Sequence, residues 1–267
     1  MLIAHEAPIA ILDEVSYHTD YQYALVHLFD KEPRYYNFFK MCILRGEEVL
    51  LDNSIFELKT AFDADKYARY IKELKPTYFI VPDVLEESAA TIESYKTFKD
   101  KYPDLPGLWI GAVQGKTYQD IVECYKFMSE NADYIAISFD FSWYQTIVYT
   151  NITDPHKAML TRMAQGRTKL INMLKCDGYW NYNKPHHLLG CSLPIEMRAY
   201  RHDYSIRSVD TSNPVVAGLK GVRYLQDIGM TFKPKELLAD LINSEVEIDQ
   251  IENIIYNISQ FKSLCNN

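Results

Sequence analysis

Short apolar runs recur along the chain at near-regular intervals, with amphipathic stretches between them. The clearest are residues 49–51 (VLL), 78–81 (YFIV), 108–113 (LWIGAV), 134–138 (YIAIS), 187–189 (HLL) and 206–209 (IRSV). Runs of this length, rich in branched and aromatic side chains, predict buried strands. The starts at 49, 78, 108 and 134 are 29, 30 and 26 residues apart, the length of a strand, a loop, a helix and a return loop. Helical spacing fills the intervals. Residues 64–74 put Tyr67, Tyr70, Ile71 and Leu74 on one face, 87–101 opens acidic and stops before Pro103, and 118–129 repeats Ile121, Val122, Tyr125 and Met128. Two further candidate strands, near 9–12 and 23–28, bring the strand count to eight. Alternating strands and helices predict a parallel sheet, and eight of them predict an α/β fold, a (β/α)8 TIM barrel in a single domain. The rival is an open doubly wound sheet, but no GxGxxG or GxxxxGK[ST] follows a strand.

Two segments depart from the rhythm. Residues 139–185 hold aromatics, then a basic helix around 161–175, then the polar loop CDGYWNYNK. Extra chain of this length on a barrel predicts an insertion or lid. Residues 245–261 carry Val246, Ile248, Ile251, Ile254, Ile255 and Ile258, the spacing of an amphipathic closing helix that packs on the rest.

Composition fits a globule, with 48% hydrophobic and 24% charged residues among 267. No apolar run reaches the roughly 18 residues needed to span a bilayer. The N-terminal stretch lacks a basic start and carries Glu6 and Asp13, so it does not read as a secretory signal. Cysteines at 42, 124, 176, 191 and 265 form no CxxC pair, which predicts reduced thiols and a cytoplasmic setting. Net charge is −8, yet residues 155–235 hold 13 Lys and Arg against 5 Asp and Glu. That local +8 leaves −16 for the remainder. Such asymmetry suits a polyanion footprint on one part of the chain. A solvated scatter of cations over several faces is the plain alternative.

Several strands end in a polar residue: Asp52 after VLL, Asp83 after YFIVP, Gln114 after LWIGAV and Asp210 after SIRSV. In a parallel barrel, active sites lie at the C-terminal strand ends. Each residue alone also suits a helix cap or a turn. Carboxylates without histidine or cysteine ligands fit a hard cation or a metal-free displacement at a sugar carbon. In the second case one carboxylate attacks and another handles protons. Asp beside Gln pairs an acceptor with a donor and acceptor, the pattern that matches a guanine-like edge.

The segments LLDNSIFEL (50–58), FIVPDV (79–84), GAVQGKTY (111–118), HLLG (187–190) and SIRSVD (205–210) resemble, in order, the motifs of the tRNA-guanine transglycosylase superfamily. They are most similar to its phage branch, the DpdA-like enzymes that place 7-deazaguanines in DNA. The resemblance spans about residues 45–215 and implies a (β/α)8 barrel. It implies that Asp210 is the nucleophile at C1′ and Asp52 the second carboxylate. It implies that Asp83 and Gln114 bind the base edge, that Phe56 and Leu189 lie against its two faces, and that Asn53 belongs to the base site. It implies no cofactor, with DNA and a preQ0-like 7-deazaguanine as partners. Three departures stand out. LDNSIFEL replaces the LDSGGFQ type, so Asn53 stands for a serine and Ile55 for a glycine. YIAISFDF occupies the place of a glycine-rich stretch. The CxCxxC…H zinc motif of the tRNA enzymes is missing, which favours the DNA branch.

In that reading Arg162, Arg167, Lys169, Lys175, Arg198 and Arg201 are candidate phosphate contacts. Trp180 and Tyr182 are candidate wedges for the gap left by a flipped base. The alternatives are a tRNA-guanine transglycosylase without zinc, a metal-dependent hydrolase on the same fold, and a non-catalytic binder. For the hydrolase, His186 and His187 are adjacent in a strand and cannot both point inward.

Overall fold

The computed structural model describes residues 1–231, 233, 234 and 236–266. Lys235, the last residue of the basic tract, lies outside them. Eight strands form a parallel sheet: β1 (Leu2–His5), β2 (Gln22–Leu25), β3 (Val49–Asp52), β4 (Tyr78–Ile80), β5 (Leu108–Val113), β6 (Tyr134–Ser138), β7 (His186–Leu189) and β8 (Ile206–Thr211). Their order is β1-β8-β7-β6-β5-β4-β3-β2. Strands alternate with helices, so the fold is the (β/α)8 TIM-barrel class. The chain divides into two compact units, residues 21–137 with 181–187, and residues 1–20 with 138–180 and 188–267.

In the first unit, β2 pairs with β3, β3 with β4, β4 with β5 and β5 with β6. Helices Pro33–Leu44, Ala64–Leu74, Ser88–Lys101 and Tyr118–Asn131 separate them. The Ala64–Leu74 helix starts where the Asp63 side chain accepts from Lys66 N at 2.8 Å, a standard N-cap. It buries Tyr67, Ala68, Ile71 and Leu74. The Tyr67 hydroxyl lies between the carbonyl oxygens of Leu51 and Ile80, at 2.8 and 2.9 Å. One helix thereby fixes the ends of β3 and β4. The Tyr118–Asn131 helix opens on a capping box between Thr117 and Asp120.

In the second unit, β1 pairs with β8, with Ala4 opposite Asp210. The 22-residue helix Pro155–Cys176 is capped by the Asp154 side chain, which accepts from Lys157 N at 2.8 Å. It begins earlier than the basic pattern implies. The stretch 139–154 before it contains one short helix, Tyr144–Ile147. The C-terminal helix Ile248–Asn266 packs against Asn213–Leu219. Its buried face is Ile254, Asn257, Ile258, Phe261, Leu264 and Cys265, whereas Ile248 is exposed. Asn257 accepts from Tyr224 N at 2.7 Å and donates to Val222 O at 2.9 Å.

Two strand expectations need correction. Residues 9–12 are not a strand: Ile9–Ile11 is a 3-10 turn running into the helix Leu12–Ser16. The first strand lies earlier, at Leu2–His5. The second ends at Leu25, and Val26–Leu28 turns into a 3-10 helix. All four residues of Gln22–Leu25 are buried, so no alternation marks where the strand stops. Among the described residues, no helix is long and apolar enough to cross a membrane. The five cysteines are free thiols.

Candidate active site

The expected site residues divide between the two units. In the first, Asp52 closes β3 and is half-buried. One of its oxygens accepts from the Tyr23 hydroxyl and the other from the Ser54 backbone N–H. Ser54 has φ +59°, the left-handed turn that lets its N–H fold back on the carboxylate. Tyr23 stacks on His187, with ring centroids 6.1 Å apart and planes at 23°. His186, the neighbour of His187, instead meets the Tyr125 hydroxyl at 2.9 Å through Nε2. The two histidines therefore serve different partners, as a strand's period of two requires.

Asn53, Asp83 and Gln114 form one buried chain of hydrogen bonds. Asn53 Nδ2 donates to Asp83 Oδ1 at 2.8 Å, and Gln114 Nε2 donates to Asp83 Oδ2 at 2.7 Å. Asn53 Nδ2 also reaches Val81 O at 3.0 Å, and Asn53 Oδ1 accepts from Ile55 N at 3.0 Å. Gln114 Oε1 accepts from Glu86 N at 2.8 Å. Burial pushes the Asp83 carboxyl above its ordinary range, and the two amide donors only partly reverse this. Each carboxylate oxygen carries two lone pairs, so Asp83 keeps acceptor capacity beyond these bonds. Asn53 and Gln114 together orient Asp83, one on each carboxylate oxygen. Phe56 sits half-buried on the short helix Ile55–Leu58, with the Lys59 ammonium 4.3 Å from its ring centroid. A flat ligand stacking on that face of Phe56 would have to displace the lysine. Among the described residues, no group of three or more His, Cys, Asp or Glu is disposed to hold a metal.

In the second unit, Asp210 is buried near the end of β8. Its Oδ1 accepts from Gly190 N at 3.1 Å. Gly190 has φ +63°, and a Cβ there would fall 2.6 Å from Phe139 Cδ1. Only glycine fits this turn, which aims a backbone N–H at the carboxylate. Leu189 is half-buried beside it. Arg167 holds the turn from behind: NH1 donates to Leu189 O and NH2 to Gly190 O, each at 2.9 Å. Its Nε and NH2 also donate to Glu196 at 2.6 and 3.1 Å. Tyr200 OH donates to Glu196 at 2.9 Å.

This geometry corrects the reading of Arg167 as a phosphate contact. The side chain is fully buried, and its donors serve Glu196 and two carbonyls. Arg201 donates to Leu264 O at 2.8 Å and Ser263 O at 3.1 Å, so it caps the C-terminal helix. Lys175 pairs with Asp203 and lies 5.4 Å from the Trp180 ring. Trp180 is buried and donates to Ser205 Oγ at 2.9 Å; it packs on its own unit and is no wedge. Tyr182 is exposed. Lys169 and Arg198 are exposed and Arg162 is half-buried, with bonds to Ile147 O, Asp227 O and Gln145 Oε1 in turn.

Three residues escaped the sequence reading. Tyr23 was absorbed into an apolar run. His27, buried beyond β2, donates its backbone N–H to Ser54 Oγ at 3.3 Å. Lys233 lies in the second unit within the electrostatic reach of Asp210. No model of a known protein family matches the chain, and no curated protein matches it.

Proposed function

We propose that this protein is a transglycosylase that exchanges guanine in DNA for a preQ0-like 7-deazaguanine through a covalent Asp210-glycosyl intermediate. The observation that carries the reading is the Asp83–Gln114 pair. A carboxylate and a carboxamide, 2.7 Å apart and oriented by Asn53, match the donors and acceptor of a guanine edge. The ordered motifs around Asp52 and Asp210 add two carboxylates for a double displacement.

In this reading a deoxyguanosine first leaves the stack, because C1′ and the base edge are hidden in a duplex. Phe56 and Leu189 flank the base while Asp83 and Gln114 bind its edge. An Asp210 oxygen attacks C1′, the C1′–N9 bond breaks, and the departing guanine takes a proton at Asp52. The Gly190 N–H holds Asp210 Oδ1 at 3.1 Å and so orients the carboxylate for the attack. The incoming 7-deazaguanine gives its N9 proton to Asp52 and attacks C1′, which frees Asp210. Two inversions retain configuration. One glycosidic bond replaces another, so the exchange needs no nucleotide hydrolysis. Arg162, Lys169 and Arg198 supply phosphate contacts.

The test is incubation of the protein with duplex DNA, or with tRNA, and labelled guanine or preQ0. Label entering DNA supports the proposal. Label entering tRNA alone identifies a tRNA-guanine transglycosylase without zinc, and label in neither overturns both.

A further inference from the structure

Lys233 belongs to an irregular segment of the second unit. Its backbone carbonyl meets His156 Nε2 at 2.9 Å. Its Nζ lies 5.7 Å from the centroid of the Phe139 ring. Phe139 N donates to Leu189 O at 3.2 Å, and its ring packs on Gly190. Gly190 in turn holds Asp210. The ionisable groups within electrostatic reach of Lys233 are Cys191, Glu6, Asp210 and Asp140, which follow or close β7, β1, β8 and β6. Among the described residues, Nζ makes no hydrogen bond and no ion pair. Three neighbouring acids disfavour a phosphate here. An amine beside a carboxylate suits a carbonyl carbon instead.

We propose that Lys233 is an amine nucleophile that captures the C1′ aldehyde of an abasic deoxyribose as an imine, with Asp210 as its proton partner. The inference rests on the reading that this site receives a nucleotide sugar. If water rather than a base opens the Asp210–C1′ ester, the product is a C1′ hemiacetal, which opens to an aldehyde. The Lys233 amine adds to C1′ and forms a C–N bond. Asp210 accepts the proton released from nitrogen and returns it to the hydroxyl, which leaves as water. A neutral imine remains, which a proton from solvent converts to the iminium, and nothing is oxidised or reduced. Burial lowers the Lys233 pKa, which favours the free amine that the addition needs.

The test mixes the full-length protein with an oligonucleotide holding one abasic site, then adds borohydride. Borohydride delivers hydride to an imine and leaves a stable secondary amine. A covalent adduct that maps to Lys233 by peptide mass, and is lost in Lys233→Arg and Lys233→Met, supports the proposal. Lys233→Arg keeps the cation and is checked for folding by its melting temperature. An adduct that persists in Lys233→Arg overturns the proposal. So does an abasic oligonucleotide that binds without an adduct. A parallel arm uses free 2-deoxyribose 5-phosphate, and trapping in that arm alone overturns the assignment to DNA. Base exchange without the adduct overturns this inference only. An adduct without base exchange supports it while overturning the exchange reaction.

Discussion

His5 shows how far burial controls single groups in this chain. Its ring is buried edge-on against Phe261, with centroids 5.7 Å apart, and its Nε2 has no hydrogen-bond partner among the described residues. Burial lowers its pKa to about 3, and that of His27 to about 4. Both are neutral in the folded chain at neutral pH, whereas a histidine in the unfolded chain titrates near 6.5. Below that value the unfolded state binds more protons, so acid favours unfolding. Stability is full above about pH 6.5 and falls as pH drops toward the folded values, by up to about 1.4 kcal/mol per pH unit for each histidine. His5→Phe keeps the ring packing and removes the titration. Urea midpoints between pH 7 and 4 are expected to fall less steeply in His5→Phe than in the unaltered protein. Equal slopes would exclude His5 as a source of acid sensitivity. The proposed exchange has its own residue test: if Asp52 handles the protons, Asp52→Asn slows base exchange by at least about a hundredfold, the usual size of a general acid–base contribution. Tritium-labelled guanine entering DNA measures it.

Among the elements, the helix Pro155–Cys176 explains which part of the sequence was legible. Its buried residues Met163, Ala164, Arg167, Leu170, Ile171 and Leu174 repeat at helical spacing. Arg167 therefore stands on the apolar face, and that spacing was the available signal that it is no surface cation. Counting charge over the segment hid it. Replacing Arg167 by Met leaves Glu196 buried without its ionic partner and is expected to cost about 3–5 kcal/mol. Replacing Arg167 and Glu196 together by Met and Leu is expected to recover most of that loss. Urea unfolding of the single and double variants measures both. The strands from β3 to β6 were legible because loops with clear polar character bound each apolar run. The first strand was not, because the stronger apolar run that follows Leu2–His5 drew the assignment and folds as helical turns.

At the scale of the whole molecule, the fold class follows from the strand spacing, and the site follows only in part. Asp52, Asp83, Gln114 and Asp210 were marked by their place after strands. Tyr23, His27 and Lys233 were not, because three-dimensional neighbours rather than sequence spacing give them their roles. The basic tract likewise divides once folded: Arg167, Lys175 and Arg201 serve internal partners, while Arg162, Lys169 and Arg198, the proposed phosphate contacts, bond Gln145, Ile147 and Asp227. If each of these three contacts one phosphate, replacing any one by Ala lowers the salt slope of DNA binding by about 0.9. Arg201→Ala is expected to leave the slope unchanged. Fluorescence anisotropy across a salt series distinguishes the two.

The most direct measurement is peptide mass mapping of the protein after incubation with guanine-containing DNA, with no incoming base and no reductant. The account predicts a deoxyribosyl adduct on the peptide containing Asp210, absent from Asp210→Asn. An adduct on Asp52 instead, or base exchange that persists in Asp210→Asn, would contradict it.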